Sequence, residues 1–260
     1  MDSIIPKIRF TYEKNKQGVW IIRLTKQIIL SNGTVFNCDK IDRVGLEFEG
    51  LFFEIPDFKG EFKNDGSVRG FNETHRSVYD NGTTGEFVSK AIQPNEVTEF
   101  IEKTHPSGSR GRSNWSCGGH VHVSVLSNAD YMTLMTEKFY DHFVKKWIEF
   151  GKLNQINEGS AFWNRLNGIC HGMNYCRKGF RGIEQAKSRY YYCDDRYQFI
   201  NYCFNVEHDS PRKKTVEFRI PPMFQKSSLQ NKAVLEILKI VQEYLEINIP
   251  QKPITLRLKL

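Results

Sequence analysis

The sequence lacks several features that would assign the protein to a class at once. It has no apolar run of the ~20 residues that a helix needs to cross a bilayer, which argues against a membrane protein. Residues 1–7 lack the layout of a secretory signal peptide. The six cysteines form no Cys-x-x-Cys pair and are too sparse for a disulfide scaffold, so we expect free thiols. These absences favour a soluble, cytoplasmic protein without a membrane partner.

Length and composition fit one main globular unit with a modest addition. Of the 260 residues, 39% are hydrophobic and 13% are aromatic, which is typical of a folded chain rather than a disordered one. The stretch before residue 43 has strand character and a turn signal at Asn32-Gly33. We therefore divide the chain into an added N-terminal β element, residues 1–42, and a main domain, residues 43–260.

The charge balance favours anionic partners. The formal net charge is +7, and basic residues gather in 107–113 and between Arg177 and Arg189, directly before three tyrosines. Basic and aromatic residues together can bind single-stranded nucleic acid. Such a cluster is more often a mixed surface loop, so a nucleic-acid partner is kept as an alternative and is not favoured.

Three segments far apart in the chain place polar residues two positions apart within strand-like sequence. Successive side chains of a strand alternate between faces, so residues i and i+2 project together. The pairs are Glu47 with Glu49, His120 with His122, and Glu217 with Arg219. A single pair of this kind is compatible with a solvated face. Three pairs together, with Glu86 in a fourth strand-like segment, predict a sheet whose polar face holds divalent cations.

The ligand types indicate the chemistry. Several carboxylates with one or two imidazoles suit Mg²⁺ or Mn²⁺ better than a thiolate-rich zinc site. Arg219 is not needed to hold a metal, whereas its planar guanidinium fits a phosphoryl group. The set therefore predicts nucleotide-dependent phosphoryl transfer.

At these residues the chain resembles the amidoligase family, a branch of the carboxylate-amine ligases related to glutamine synthetase and glutamate-cysteine ligase. The resemblance covers about residues 43–245 and is most specific at the Cys-Gly-x-His-Val-His and Glu-Phe-Arg elements. The matching segments, in family order, are Gly45 to Glu49, Asp65-Gly66-Ser67, Gly85 to Ser89, Cys117 to Val123, Arg196-Tyr197 with Asn201, and Thr215 to Arg219.

The resemblance implies a fold, an activity and a set of site residues. The fold is α+β, with a curved, mostly antiparallel sheet that is open and polar on its ligand face and covered by helices on the other. The activity is ATP-dependent joining of a small-molecule or peptide carboxylate to an amine through an acyl phosphate, with two Mg²⁺ or Mn²⁺ ions.

By the same resemblance, Glu49 and Glu86 would hold one ion, and Glu47, His120 and Glu217 the other. Arg219 would stabilise the transferred phosphoryl group, and His122 would lie just outside the metal ligands or contact substrate. The remaining assignments are Arg196 as a catalytic residue and Asn201 and Ser124 as nucleotide contacts.

The pattern also predicts where the main elements lie. Helices are expected where apolar residues recur every three or four positions, and the Gly/Ser/Arg stretch 105–114 is expected to be a flexible connection. Predicted strands are 8–12, 19–24, 27–30, 44–54, 58–63 and 84–89, and predicted helices are 94–103, 129–150 and 228–246.

Two other functional classes remain open at this stage. Guanidino kinases share the fold and a carboxylate-rich metal site, but they transfer phosphate to an arginine-type nitrogen. A non-catalytic protein could use a degenerate ligase fold to bind nucleic acid or a partner. The sequence names neither substrate, assigns no role to residues 151–195 and leaves the oligomeric state open.

Overall fold

The computed structural model is an α+β fold, and the strands of its described residues form two separate sheets. It describes residues 8–14, 20–29, 35–65, 68, 71, 82–168, 176–180, 197–203 and 215–248. The strands are β1 Ile8–Lys14, β2 Trp20–Ile29, β3 Val35–Asn37, β4 Ile41–Phe52, β5 Gly60–Lys63, β6 Thr83–Ser89, β7 Gly111–Arg112, β8 Gly119–Val125, β9 Ile200–Cys203 and β10 Thr215–Phe218. The helices are α1 Val97–Thr104, α2 Asn128–Leu134, α3 Glu137–Leu153, α4 Ala161–Leu166 and α5 Ser227–Asn248.

The smaller sheet consists of β1, β2 and β3 in that order. The sequence predicted two strands over 19–30, whereas the structure has one ten-residue strand, β2. The strand continues because Thr25 and Lys26, in the expected break, pair with Arg9 and Ile8 of β1. The predicted Asn32-Gly33 turn lies outside the described residues.

Among the described residues, the larger sheet has seven strands in the order β5-β6-β4-β8-β10-β9, with β7 paired to β4. The neighbouring pairs in this order are antiparallel. Alternation along the strands gives the sheet one apolar face. Its buried side chains include Leu46, Phe48, Phe87, Val121, Val123, Val216 and Phe218. This arrangement confirms the predicted fold class.

Helices cover the apolar face. Helix α5 buries Val234, Ile237, Leu238 and Val241 and contacts α1, α2, α3 and β8. Helix α3 packs Phe143 on Phe218 of β10, with ring centroids 4.8 Å apart. Because these helices cover the apolar face of the larger sheet, the polar side chains of its strands lie on the opposite face.

The single helix predicted over 129–150 is two helices. The hydroxyl of Thr136 accepts a hydrogen bond from the N–H of Phe139 (3.3 Å), so it caps a new helix start. Ser127 does the same for α2, with Asp130 as donor. Met132, one of the apolar residues at helical spacing within 129–150, is 45% exposed.

The stretch 105–114, expected to be a flexible connection, is anchored to the fold. Gly111 and Arg112 form β7 and pair with Phe52 and Leu51 of β4. The Arg110 side chain donates to the carbonyls of Glu102 and Lys103. The sequence missed this because a two-residue strand has no readable alternation.

Within the described residues, no helix combines the length and apolar character that a membrane span requires. Cys38, Cys117 and Cys176 are buried, and these three cysteines form no disulfide bond with one another.

Candidate metal and phosphate site

The register of the larger sheet brings the three predicted pairs together on the face opposite the helices. Glu47 of β4 lies opposite His120 of β8, and Glu217 of β10 lies opposite His122. On the other side of β4, Glu49 lies opposite Glu86 of β6. Directly opposed residues of antiparallel strands share a face, so these side chains converge.

The first cluster consists of Glu47, His122 and Glu217. Each offers one ligand atom, and these atoms all lie within 4.8 Å of one another. Glu47 Oε1 is 3.0 Å from His122 Nε2, and Glu217 Oε1 is 3.9 Å from the same nitrogen. We call these residues cluster A.

The second cluster consists of Glu49, Asp65 and Glu86, again with one ligand atom from each within 4.8 Å of the others. The backbone N–H of Gly118 donates to Glu49 and fixes one of its oxygens. We call these residues cluster B. Asp65 was not predicted as a ligand, although the Asp-Gly-Ser turn that contains it was recognised.

His120 lies between the two clusters. Its Nδ1 is 3.1 Å from Glu47 Oε2 and its Nε2 is 3.7 Å from Glu49 Oε1. The sequence prediction grouped His120 with Glu47 and Glu217, and His120 Nδ1 also lies 3.8 Å from Glu217 Oε1, so both imidazoles face the carboxylates of cluster A. The imidazole of His120 is only 4% exposed, so it is held where it can reach either cluster.

Arg219 follows β10 and pairs with cluster A. Its guanidinium donates to Glu217 and lies over the ring of Tyr197, with Cζ 5.6 Å from the ring centroid. The buried Nε–H has no hydrogen-bond partner in the described part of the chain. Burial lowers the pKa of Arg219, but the neighbouring Glu217, Glu49 and Glu47 outweigh it, so the group stays charged.

The buried carboxylates of the site differ in the direction in which their pKa is shifted. Burial raises the pKa of Glu47, but hydrogen bonds and charge from His120 and His122 bring it below the usual value. Burial also raises the pKa of Glu217, and Arg219 and His122 reverse this. By contrast, burial and then the charges of Glu47, Asp65 and Glu49 raise the pKa of Glu86 to about 7.

The donor set fits divalent cations. Cluster B supplies three carboxylates, a hard oxygen set of the kind that Mg²⁺ and Mn²⁺ prefer. Burial is the main cause of the raised pKa of Glu86, and the repulsion from neighbouring carboxylates that adds to it would be relieved by a cation. Cluster A adds an imidazole, and the guanidinium beside it suits a phosphate oxygen.

The other predicted site residues have defined surroundings. Asn201 on β9 donates to Glu217 Oε2 (2.6 Å). The Ser124 hydroxyl bonds the backbone of Arg43, accepting from its N–H at 3.1 Å. Arg196 lies outside the described residues. The contacts predicted for Asn201 and Ser124 with nucleotide stay predictions.

Glu86→Gln is expected to stabilise the metal-free protein at neutral and higher pH. Because the folded state raises the pKa of Glu86 from 4.5 to about 7, the stability linked to this group is present below 4.5 and is lost as the pH rises through 7. Urea unfolding should show the variant more stable above pH 7 and equal to wild type near pH 4.5. Added Mg²⁺ should then stabilise wild type more than the variant. An advantage of equal size at both pH values would contradict the raised pKa.

Comparison with known proteins identifies no family for this chain. No protein-family model matches the chain, and no curated protein matches it in sequence. A glutamine synthetase of Plasmodium falciparum, solved by cryo-electron microscopy, is similar with a TM-score of 0.40 and 13% sequence identity. The match covers 95% of this chain and 63% of that chain. At this similarity it carries no argument about the fold or the activity of this chain, and both have to be argued from its own structure.

Proposed function

We propose that the protein is an ATP-dependent carboxylate-amine ligase of the amidoligase type that uses two Mg²⁺ or Mn²⁺ ions. One observation carries the proposal: two clusters of three cation ligands lie side by side on one sheet face, and a charged arginine is paired with one of them. Adjacent cation sites with an arginine suit the terminal phosphates of a nucleotide.

The residues would divide the work as follows. Glu47, His122 and Glu217 would hold one ion and Glu49, Asp65 and Glu86 the other, with His120 within reach of both. Bound cations would supply neutralisation of phosphate charge. Arg219 would orient the γ-phosphoryl group and stabilise the charge that develops on it during transfer.

The reaction needs an activated carboxylate, because a free carboxylate is a poor electrophile. Transfer of the γ-phosphoryl group of ATP to the substrate carboxylate gives an acyl phosphate and ADP. Attack by the amine then forms the amide and releases phosphate. The chain's contribution is positioning and charge stabilisation. The substrates are a small-molecule or peptide carboxylate and amine, and we place the activity in the cytoplasm.

The direct test is ATP hydrolysis in the presence of amino-acid and dipeptide libraries, with mass spectrometry of the products. A ligase should release phosphate only when both a carboxylate and an amine are present, and it should form an amide. Glu217→Gln should abolish this, whereas Glu102→Gln, an exposed glutamate on α1, should not. Phosphorylated guanidino products would instead identify a kinase, and nucleotide-independent nucleic-acid binding would identify a binding protein.

A further inference from the structure

Arg165 sits on a short, rigidly packed helix at the edge of the site. Helix α4 buries Phe162 and Leu166. Phe162 packs on Trp147 of α3 and on Phe224, with ring centroids 5.3 and 6.3 Å apart. The helix is therefore fixed to the core, and the base of the Arg165 side chain is fixed with it.

The guanidinium of Arg165 donates to two backbone carbonyls that are far apart in sequence. Nη1 lies 3.2 Å from the carbonyl oxygen of Arg219, and Nη2 lies 3.4 Å from that of Ser116. Arg219 is the residue at which the chain leaves β10. Ser116 lies just before β8, two residues ahead of the Gly118 N–H that holds Glu49.

These two carbonyls belong to the segments that aim the phosphate-facing groups. The N–H of Arg219 donates to the carbonyl of Phe199 (2.9 Å), the residue just before β9, so this contact holds one side of its backbone. Arg165 holds the other side through the carbonyl. The Arg219 guanidinium is then placed by its backbone as well as by Glu217 and Tyr197.

We propose that Arg165 is a positioning residue that keeps Arg219 in register with the two cation clusters. It acts through the main chain and does not itself need to touch nucleotide. The proposal rests on the proposed function, since it assumes that Arg219 meets a phosphoryl group. Its specific consequence is that loss of Arg165 should impair recognition of the transferring phosphoryl group more than recognition of ADP.

Arg110 is a matched control. It also spans two backbone carbonyls with one guanidinium, those of Lys103 (2.9 Å) and Glu102. Both carbonyls belong to α1, which lies on the apolar side of the sheet, away from the ligand face. Arg110→Gln therefore removes the same kind of interaction without reaching Arg219.

The experiment measures Mg²⁺-dependent binding of ADP by the full chain with and without aluminium fluoride, which mimics a phosphoryl group in transfer. Wild type should bind ADP more tightly when aluminium fluoride is added. Arg165→Gln should bind ADP alone about as well as wild type. The factor by which aluminium fluoride increases its ADP affinity should be smaller than that of wild type, by on the order of 10-fold. Arg165→Lys, which keeps the charge and can reach one carbonyl, should lose only part of it.

Full strengthening in Arg165→Gln, or an equal loss in Arg110→Gln, would overturn the assignment of Arg165. A wild-type protein that binds Mg-ADP but gains nothing from aluminium fluoride would overturn the phosphoryl-transfer proposal itself. The failure of the inference and the failure of the proposed function are therefore distinguishable.

Discussion

Arg219→Lys should bind Mg-ADP nearly as well as wild type and lose on the order of 10²-fold or more in turnover, the size of effect seen when one preorganised transition-state donor is removed. The Arg219 side chain is 16% exposed, and its guanidinium is held by Glu217 and by the ring of Tyr197. Lysine keeps the charge but loses the planar fork that can bond two phosphate oxygens. Steady-state ATP turnover with an identified substrate pair measures the effect.

Arg110→Lys is the control for this substitution, since the Arg110 side chain donates to a carbonyl of α1 and does not contact the site. It should leave turnover within about twofold of wild type, as expected for a surface change. If Arg219→Lys also keeps near-wild-type turnover, Arg219 does not contact the transferred group, and the resemblance fails at its Glu-Phe-Arg element.

Gly118→Ala should weaken cation binding at the ligand face while leaving the helices and sheet in place. A methyl group at residue 118 would lie 2.4 Å from His120 Nε2 and 3.2 Å from Glu49 Oε2. His120 is buried between Glu47 and Glu49, so it can move away from the methyl group only by losing its contacts with them. We expect Mn²⁺ affinity to fall by at least about 10-fold, as when the partners that orient metal ligands are removed. Calorimetric titration with Mn²⁺ would measure it.

Gly45→Ala is the matched control on the same face. Its methyl group would lie 3.3 Å from His122 Cβ, a tight contact that a small shift can absorb. It should lose much less Mn²⁺ affinity than Gly118→Ala. Equal affinity in Gly118→Ala and wild type would show that His120 and Glu49 are not held in the geometry described.

The part of the site that was predictable from sequence is the part built on strands. Alternation requires Glu47 and Glu49 to share a face, and the same holds for His120 with His122. These residues do converge. The distances between these groups were not predictable, because they depend on the register between β4, β8 and β10. That register brings His122 as well as His120 within 4 Å of Glu47 and Glu217.

Residues outside regular strands were the ones that the sequence missed. Asp65 lies in the segment after β5 and comes close to Glu49 and Glu86. A turn motif in the sequence does not indicate in which direction its side chains point. Arg165 lies on a six-residue helix, too short for a periodic pattern. The break between α2 and α3 was not predicted either. Thr136 caps the start of α3, but the apolar spacing continues across it and therefore gives no sign of the break.

The central claim is that the ligand face binds divalent cations together with a nucleotide, and titration calorimetry with ADP tests it most directly. With Mg²⁺ or Mn²⁺ present, wild type should bind ADP, and Glu47→Gln, which removes one carboxylate from cluster A, should bind it much more weakly. In EDTA the wild-type signal should disappear. Equal ADP affinity with Mg²⁺ and in EDTA would contradict the claim, because binding would then not depend on the clustered carboxylates at all.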